Sequence, residues 1–117
     1  MKHAILDTSF ILSCIRKKID FFEQIPSRGM KIIIPRQVIE EIKGLSKSEP
    51  EAKIALSLLK KNSFMKIDLE TKNVDNGIIK TAKENQGYVI ATLDREIKDK
   101  TENQKLIIRG ERELEII

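Results

Sequence analysis

Residues 3–18 read HAILDTSFILSCIRKK, and the spacing of the apolar positions changes partway along that stretch. Ala4, Ile5 and Leu6 form an unbroken apolar run of strand length. Beyond Asp7, the apolar residues Phe10, Ile11, Cys14 and Ile15 recur at helical spacing. A strand over 3–6 therefore passes into a helix over 9–18 with a basic end at Lys17 and Lys18. Asp7 stands at the junction. A continuously apolar strand feeding a helix is the repeating unit of a parallel sheet covered on both faces; a sheet with one wet face would alternate.

The unit recurs along the chain. Residues 20–25 form a second helical piece before a turn over 26–29, and 31–34 (KIII) a second strand. Val38, Ile39, Ile42 and Leu45 set a helix over 36–45. Ser48 and Glu51 have the spacing of a capping box, with Pro50 tolerated in the first turn of a helix running to about Lys61. Residues 64–69 are a third strand, 75–86 a helix closed by Gly87, 88–92 a fourth strand, 94–99 a short helix and 105–108 a fifth strand. The tail 113–117 (ELEII) has room for one short further strand. The expected fold is α/β: a three-layer α/β/α sandwich around a central, mostly parallel five-stranded sheet in the order 3-2-1-4-5. No repeat, low-complexity tract or linker interrupts it, so residues 1–117 read as a single domain.

The 117 residues carry 22 basic and 18 acidic side chains, a net charge of +4 that suits a polyanionic partner without proving one. Only 4% are aromatic and there is no Trp, which argues against a base-stacking platform. One cysteine allows no internal disulfide and fits a reducing, cytoplasmic setting. No apolar run approaches the roughly 20 residues that span a bilayer, so no membrane partner is expected. The start, MKHAILDTSF, has only a brief apolar stretch broken by Asp7, unlike a signal peptide.

In parallel α/β sheets ligands bind beyond the carboxyl ends of the strands, where the strand order reverses. Asp7 follows the first strand and Asp94 the fourth. On the helix over 36–45, at about 100° per residue, Glu41 lies roughly 80° from the apolar stripe and Glu40 roughly opposite it. Asp75 falls on the inner face of its helix with Ile78, Ile79 and Ala82. Each acid also has a plain reading: Asp7, Asp94 and Asp75 as helix caps, Glu41 as half of an ion pair. Four acids biased toward one edge are harder to explain that way. Clustered carboxylates repel one another and are stable chiefly around a hard cation, for which oxygen ligands favour Mg²⁺ or Mn²⁺.

With these residues in place the chain resembles a PIN domain over essentially its whole length. LDTSF at 6–10 resembles the opening Asp-Thr-Asn/Ser motif, and IIIPRQVIEEIKGL at 32–45 the strand and helix that carry an inward acid, here Glu41. VDNGII at 74–79 resembles the helix start with the third acid, Asp75, and YVIATLDREI at 88–97 the strand followed by Thr-x-Asp, with Asp94 fourth. Ser9 stands where many members have Asn, Asn76 where a second Asp is frequent, and Glu96 where some members have a further Asp. Glu96 reads as an auxiliary ligand or, preferably, a solvated charge.

The resemblance implies a divalent-metal-dependent ribonuclease acting on single-stranded RNA and leaving a 5′-phosphate and a 3′-hydroxyl. Asp7, Glu41, Asp75 and Asp94 are then the catalytic and metal-holding acids, and Thr8, Ser9 and Thr92 orient acids or phosphate oxygens, or simply cap helices. The IEEIKGLSK stretch is similar to archaeal relatives of small-subunit rRNA-processing nucleases, while VapC toxins share the four acids. Partners accordingly include RNA and either an antitoxin or a ribosome-assembly factor. Homodimerisation is common in the family; Phe21 and Phe22 are contact candidates, although core packing is the preferred role.

Arg16, Lys17, Lys18, Lys43, Lys47, Arg95 and Lys98 are candidates for phosphate contact, or else solvated helix ends. Cys14 and the lone His3 read as structural; one Cys and one His cannot build a zinc site. A haloacid-dehalogenase-like phosphatase also places an Asp after its first strand but wants an acid two residues on, where this chain has Ser9. The alternative to an enzyme is a non-catalytic RNA-binding or ribosome-assembly module that kept the fold.

Overall fold

A computed structural model describes residues 2–117. In chain order the elements are β1 (Lys2–Leu6), α1 (Thr8–Arg16), α2 (Phe21–Ser27), β2 (Met30–Pro35), α3 (Arg36–Leu45), α4 (Pro50–Lys61), β3 (Met65–Ile67), α5 (Val74–Glu84), β4 (Val89–Ala91), α6 (Arg95–Asp99), β5 (Lys105–Arg109) and β6 (Glu113–Ile116). The strands form one sheet in the order β3-β2-β1-β4-β5-β6. All neighbours are parallel except β6, which runs antiparallel to β5.

The central strands are buried on both faces. Ala4, Ile5 and Leu6 of β1, Ile33 and Ile34 of β2, and Val89, Ile90 and Ala91 of β4 are fully inaccessible. Successive strand residues point to opposite faces, so consecutive burial requires helices on both. Connections from β1 build outward through β2 to β3 on one side, and through β4 to β5 on the other. Right-handed crossovers then put their helices on opposite faces. α1, α3 and α4 pack on one another, and α5 packs on α6. The chain thus leaves the sheet in two directions from the adjacent carboxyl ends of β1 and β4. The register pairs Leu6 with Ala91, which sets Asp7 beside Thr92.

Three expectations are corrected. The sheet has six strands rather than five, because the tail folds back over a turn in which Gly110 and Glu111 both have φ of 59°. The Ser48–Glu51 capping box does not form: Glu49 is the N-cap, without a side-chain bond, and Pro50 opens α4. Gly87 does not close α5. Asn85 is the C-cap, and the side chain of Asn103 reaches in from the loop before β5, its amide donating to the carbonyls of Ala82, Asn85 and Tyr88 at 3.1, 3.0 and 3.0 Å. A long-range amide thus satisfies carbonyls that a local glycine turn would otherwise have served.

Cys14 is buried, and burial pushes its thiol up to about 12. His3 lies against Tyr88 with ring centroids 5.7 Å apart. Phe21 is in the core, and Phe22 packs between Phe21 and Phe64. Among the described residues no helix is long and apolar enough to cross a membrane.

Candidate active site

The carboxyl ends of β1 and β4 and the amino ends of α1, α5 and α6 surround a concavity of about 480 Å³. Asp7, Thr8, Ser9, Glu41, Asp75 and Asp94 line it. The four nominated acids, which lie in four separate segments of the chain, therefore face one space.

Asp7 is buried and does two jobs at once. It caps α1, accepting from the Thr8 backbone N–H at 2.7 Å. Its other oxygen accepts from the Thr92 hydroxyl at 2.8 Å and the Ser9 hydroxyl at 3.3 Å. Burial pushes its carboxyl above the usual range; the bonds from Thr92, Thr8 and Ser9 oppose that, and the charge of Glu41 adds to it.

Thr92 ties Asp7 to Asp94: the hydroxyl that donates to Asp7 accepts from the Asp94 backbone N–H at 3.0 Å. Asp94 in turn caps α6, accepting from the backbone N–H groups of Glu96 and Ile97 at 2.8 and 3.2 Å. Ser9 closes the loop between the two strand ends by accepting from the Leu93 N–H at 3.2 Å.

Glu41 reaches the site from α3, where it accepts a hydrogen bond from the Thr8 hydroxyl. Glu40 faces away and pairs with Arg36 at 2.6 Å. The helical period alone separates these adjacent glutamates.

Asp75 is not a cap. Asn73 takes that role, accepting from the Asn76 N–H at 3.0 Å, so the Asp75 carboxylate in the first turn of α5 is not used in capping. Burial pushes Asp75 above the usual carboxylate range, followed by the charges of Asp94, Asp7 and Glu96.

Glu96 enters here. Oxygens of Asp75, Asp94 and Glu96 all lie within 4.8 Å of one another. Glu96 is exposed and pairs with Lys100 at 2.7 Å, so it is a solvated charge and also a member of the carboxylate cluster. Its position two residues past a capping Asp was the only local hint. That α5 brings Asp75 against the same turn is a tertiary fact.

The nominated basic residues divide. Arg95 and Lys98 sit on α6 directly after Asp94. Lys43 and Lys47 are exposed at and beyond the end of α3. Arg16, Lys17 and Lys18 lie at the far end of α1, about 13 Å of helical rise from Asp7, and Lys17 is engaged by Glu111 at 2.8 Å.

A doubly wound α/β domain with an acidic pocket at the point where its strand order reverses defines a recognisable class. Residues 4–111 match the family described as PIN like domain, and the chain belongs to that family. Ribonuclease VapC4 of Methanocaldococcus jannaschii is 29% identical over 108 residues, covering 86% of this chain and 82% of that protein. The rRNA-processing protein fcf1 of Schizosaccharomyces pombe is 29% identical over 105 residues, covering 84% of this chain but only 52% of its own length. The solved structure of the PIN domain endonuclease Utp24 superposes with a TM-score of 0.79 at 25% identity, over 98% of this chain and 92% of that one.

Proposed function

We propose that this domain is a divalent-metal-dependent ribonuclease that hydrolyses phosphodiester bonds in single-stranded RNA. The observation that carries the reading is the meeting of Asp7, Glu41, Asp75 and Asp94 in one pocket at the carboxyl edge of the sheet. The names of the ribonuclease VapC4 and the endonuclease Utp24 support it. They leave two biological settings: a toxin held by an antitoxin, or a nuclease in rRNA processing.

The donor set fits Mg²⁺ or Mn²⁺. It consists of carboxylates and hydroxyls; among the described residues no cationic side chain lines the pocket, Lys100 reaching only Glu96 beside it, and hard oxygens suit hard cations. Burial raises Asp75 first and the charges of Asp94, Asp7 and Glu96 add to it, and a bound cation would relieve that second part. Asp7, Glu41, Asp75 and Asp94 would hold it, with Glu96 as a further oxygen donor. When bound, the cation supplies an activated water and neutralises charge developing on the phosphate. The chain's own contribution is orientation. Thr92 and Ser9 fix the carboxylate of Asp7, Thr8 fixes that of Glu41, and the α6 amides fix that of Asp94. The Thr8 and Ser9 hydroxyls are turned to Glu41 and Asp7, and with a cation-activated water as the attacking oxygen no protein nucleophile is needed.

The test compares wild type with Asp7→Asn and Asp94→Asn in RNA cleavage with Mn²⁺ or Mg²⁺, alongside the Mn²⁺-induced rise in melting temperature. Wild type should cleave and be stabilised by the ion, and the variants should lose both effects. Binding at a hundredfold excess over Kd would add about 2.7 kcal/mol of stability. Cleavage by both variants at the wild-type rate would sink the assignment. Stable RNA binding without cleavage would instead favour a non-catalytic ribosome-assembly role.

A further inference from the structure

We propose that the groove between α5 and α6 is the track on which single-stranded RNA leaves the acidic pocket, with Lys80 and Lys83 gripping its phosphates and Lys100 on the opposite wall. The proposal rests on the ribonuclease reading and adds to it the path of the substrate.

The groove is a separate concavity of about 660 Å³. Asn76, Ile79, Lys80, Lys83, Glu84 and Lys100 line it, so three ammonium groups face one carboxylate. It begins where the carboxylate cluster ends. Asn76 directly follows Asp75, and Lys100 is paired with Glu96. Asn76, Lys80 and Lys83 stand at i, i+4 and i+7 on α5 and so form one stripe. At 1.5 Å of rise per residue, Lys80 lies about 7.5 Å and Lys83 about 12 Å from Asp75 along the helix. The two cations thus lie at increasing distance from the pocket along one line.

Lys80 and Lys83 are exposed, and among the described residues neither makes an ion pair. Of the three groove lysines only Lys100 is already engaged, by Glu96, so Lys80 and Lys83 are the ones that offer unpaired charge to a phosphate. The floor is Ile79, with no aromatic ring in the lining, so the groove offers no stacking platform. Lysine is a point charge without the bidentate geometry of arginine. The recognition it provides is therefore of the phosphate chain, independent of base sequence, and it positions the strand rather than reading it.

Lys80 and Lys83 share α5 with Asp75, and the packing of α5 on α6 sets Lys100 across from them.

The experiment measures binding of a labelled oligouridine by fluorescence anisotropy in EDTA across graded potassium chloride. Parallel reactions with Mn²⁺ follow cleavage of the same RNA. Lys80→Gln/Lys83→Gln is compared with wild type and with Lys53→Gln/Lys60→Gln, which removes the same charge from exposed positions on α4. Each single-strand phosphate contact contributes about −0.7 to the slope of log affinity against log salt. The groove variant should flatten the slope by about 1.4 and raise KM, and Lys80→Arg/Lys83→Arg should restore both. The α4 control should retain the wild-type slope. Equal slopes for the groove variant and the control, with wild type cleaving, overturn the track and leave the ribonuclease reading standing. A wild type that neither binds nor cleaves RNA overturns both.

Discussion

Gly77 and Gly44 are both helical glycines, and the same substitution at each should move stability in opposite directions. A Cβ at Gly77 would sit 2.8 Å from the Leu69 Cβ, 2.9 Å from the Thr71 Cγ2 and 3.0 Å from the Leu69 Cδ1. The Leu69 Cβ is not a flexible tip, and its segment has little freedom to retreat. The Leu69 N–H donates to the Gln37 Oε1 at 3.0 Å. The buried Gln37 amide also donates to the Asp68 Oδ1 at 2.7 Å, an oxygen that accepts from the Glu70 N–H at 2.7 Å as well. Strain introduced at residue 77 must therefore displace α5, which carries Asp75.

Overpacking of this kind costs about 1–3 kcal/mol. Against it stands the gain of about 1 kcal/mol from replacing a helical glycine by alanine. The balance for Gly77→Ala is a loss of about 1 kcal/mol. An unfolding entropy of about 2.1 cal/mol/K per residue over this chain turns that into a melting temperature lower by about 4 °C. At Gly44 nothing lies within 4 Å of the added Cβ, so Gly44→Ala should keep the propensity gain and melt up to about 4 °C higher. Thermal melts in EDTA, followed by circular dichroism, read both. If Gly77→Ala melts as high as Gly44→Ala, the close approach of the 68–73 segment to α5 is refuted.

Asp75→Asn should raise the melting temperature of the metal-free protein at neutral pH. The folded-state value of Asp75 is raised above 3.8, so its contribution to stability is complete below that pH and is lost as pH rises through the folded value. The advantage of the variant should therefore open on going from about pH 4 to neutral; an advantage that stayed constant with pH would contradict this origin. Thr92→Val removes the acceptor for the Asp94 N–H and leaves one buried Asp7 oxygen with only the longer Ser9 bond, at a cost of about 1–3 kcal/mol. It should also reduce the Mn²⁺-induced stabilisation, and a variant with wild-type stability and ion response would show that this hydroxyl does not hold the two acids in register.

Within single elements the sequence was highly legible. The run Ala4-Ile5-Leu6 marked a strand buried on both faces, and the residues that end β1 and begin α6 marked two acids at the sheet's carboxyl edge. The helical period put Glu41 at the border of the apolar stripe and Glu40 roughly opposite it, and in the structure Glu41 accepts from Thr8 while Glu40 pairs with Arg36. What escaped depended on how elements meet. The approach of Glu96 to Asp75 requires the packing of α5 against α6, and the capping of α5 by Asn103 spans 18 residues from Asn85. The tail had room for a short strand, but its antiparallel place beside β5 depends on a turn with two consecutive left-handed residues. Ser48 lost the cap of α4 to Glu49 because local spacing permits a capping box without deciding where the chain turns.

The capping and catalytic readings of the acids are not alternatives in this fold; the first makes the second tolerable. A pocket of four or five carboxylates should repel itself, yet Asp7 and Asp94 each accept backbone N–H bonds at a helix start, where aligned peptide dipoles favour negative charge. The fold holds those two anions in place whether or not a cation is present. Asp75 lacks that support, because Asn73 has taken its cap, and it is pushed upward by burial and by three neighbouring acids. Asp7 is raised by burial too, but three hydrogen bonds oppose that shift, whereas Asp75 has no capping bond and three acids add to its burial. On the proposed function, an ion would gain most from Asp75 and be positioned most by Asp7 and Asp94, so substitutions at these sites should separate affinity from geometry. The Thr92 hydroxyl, bonded to one positioned acid and to the backbone of the other, is what keeps the two frames at a fixed spacing.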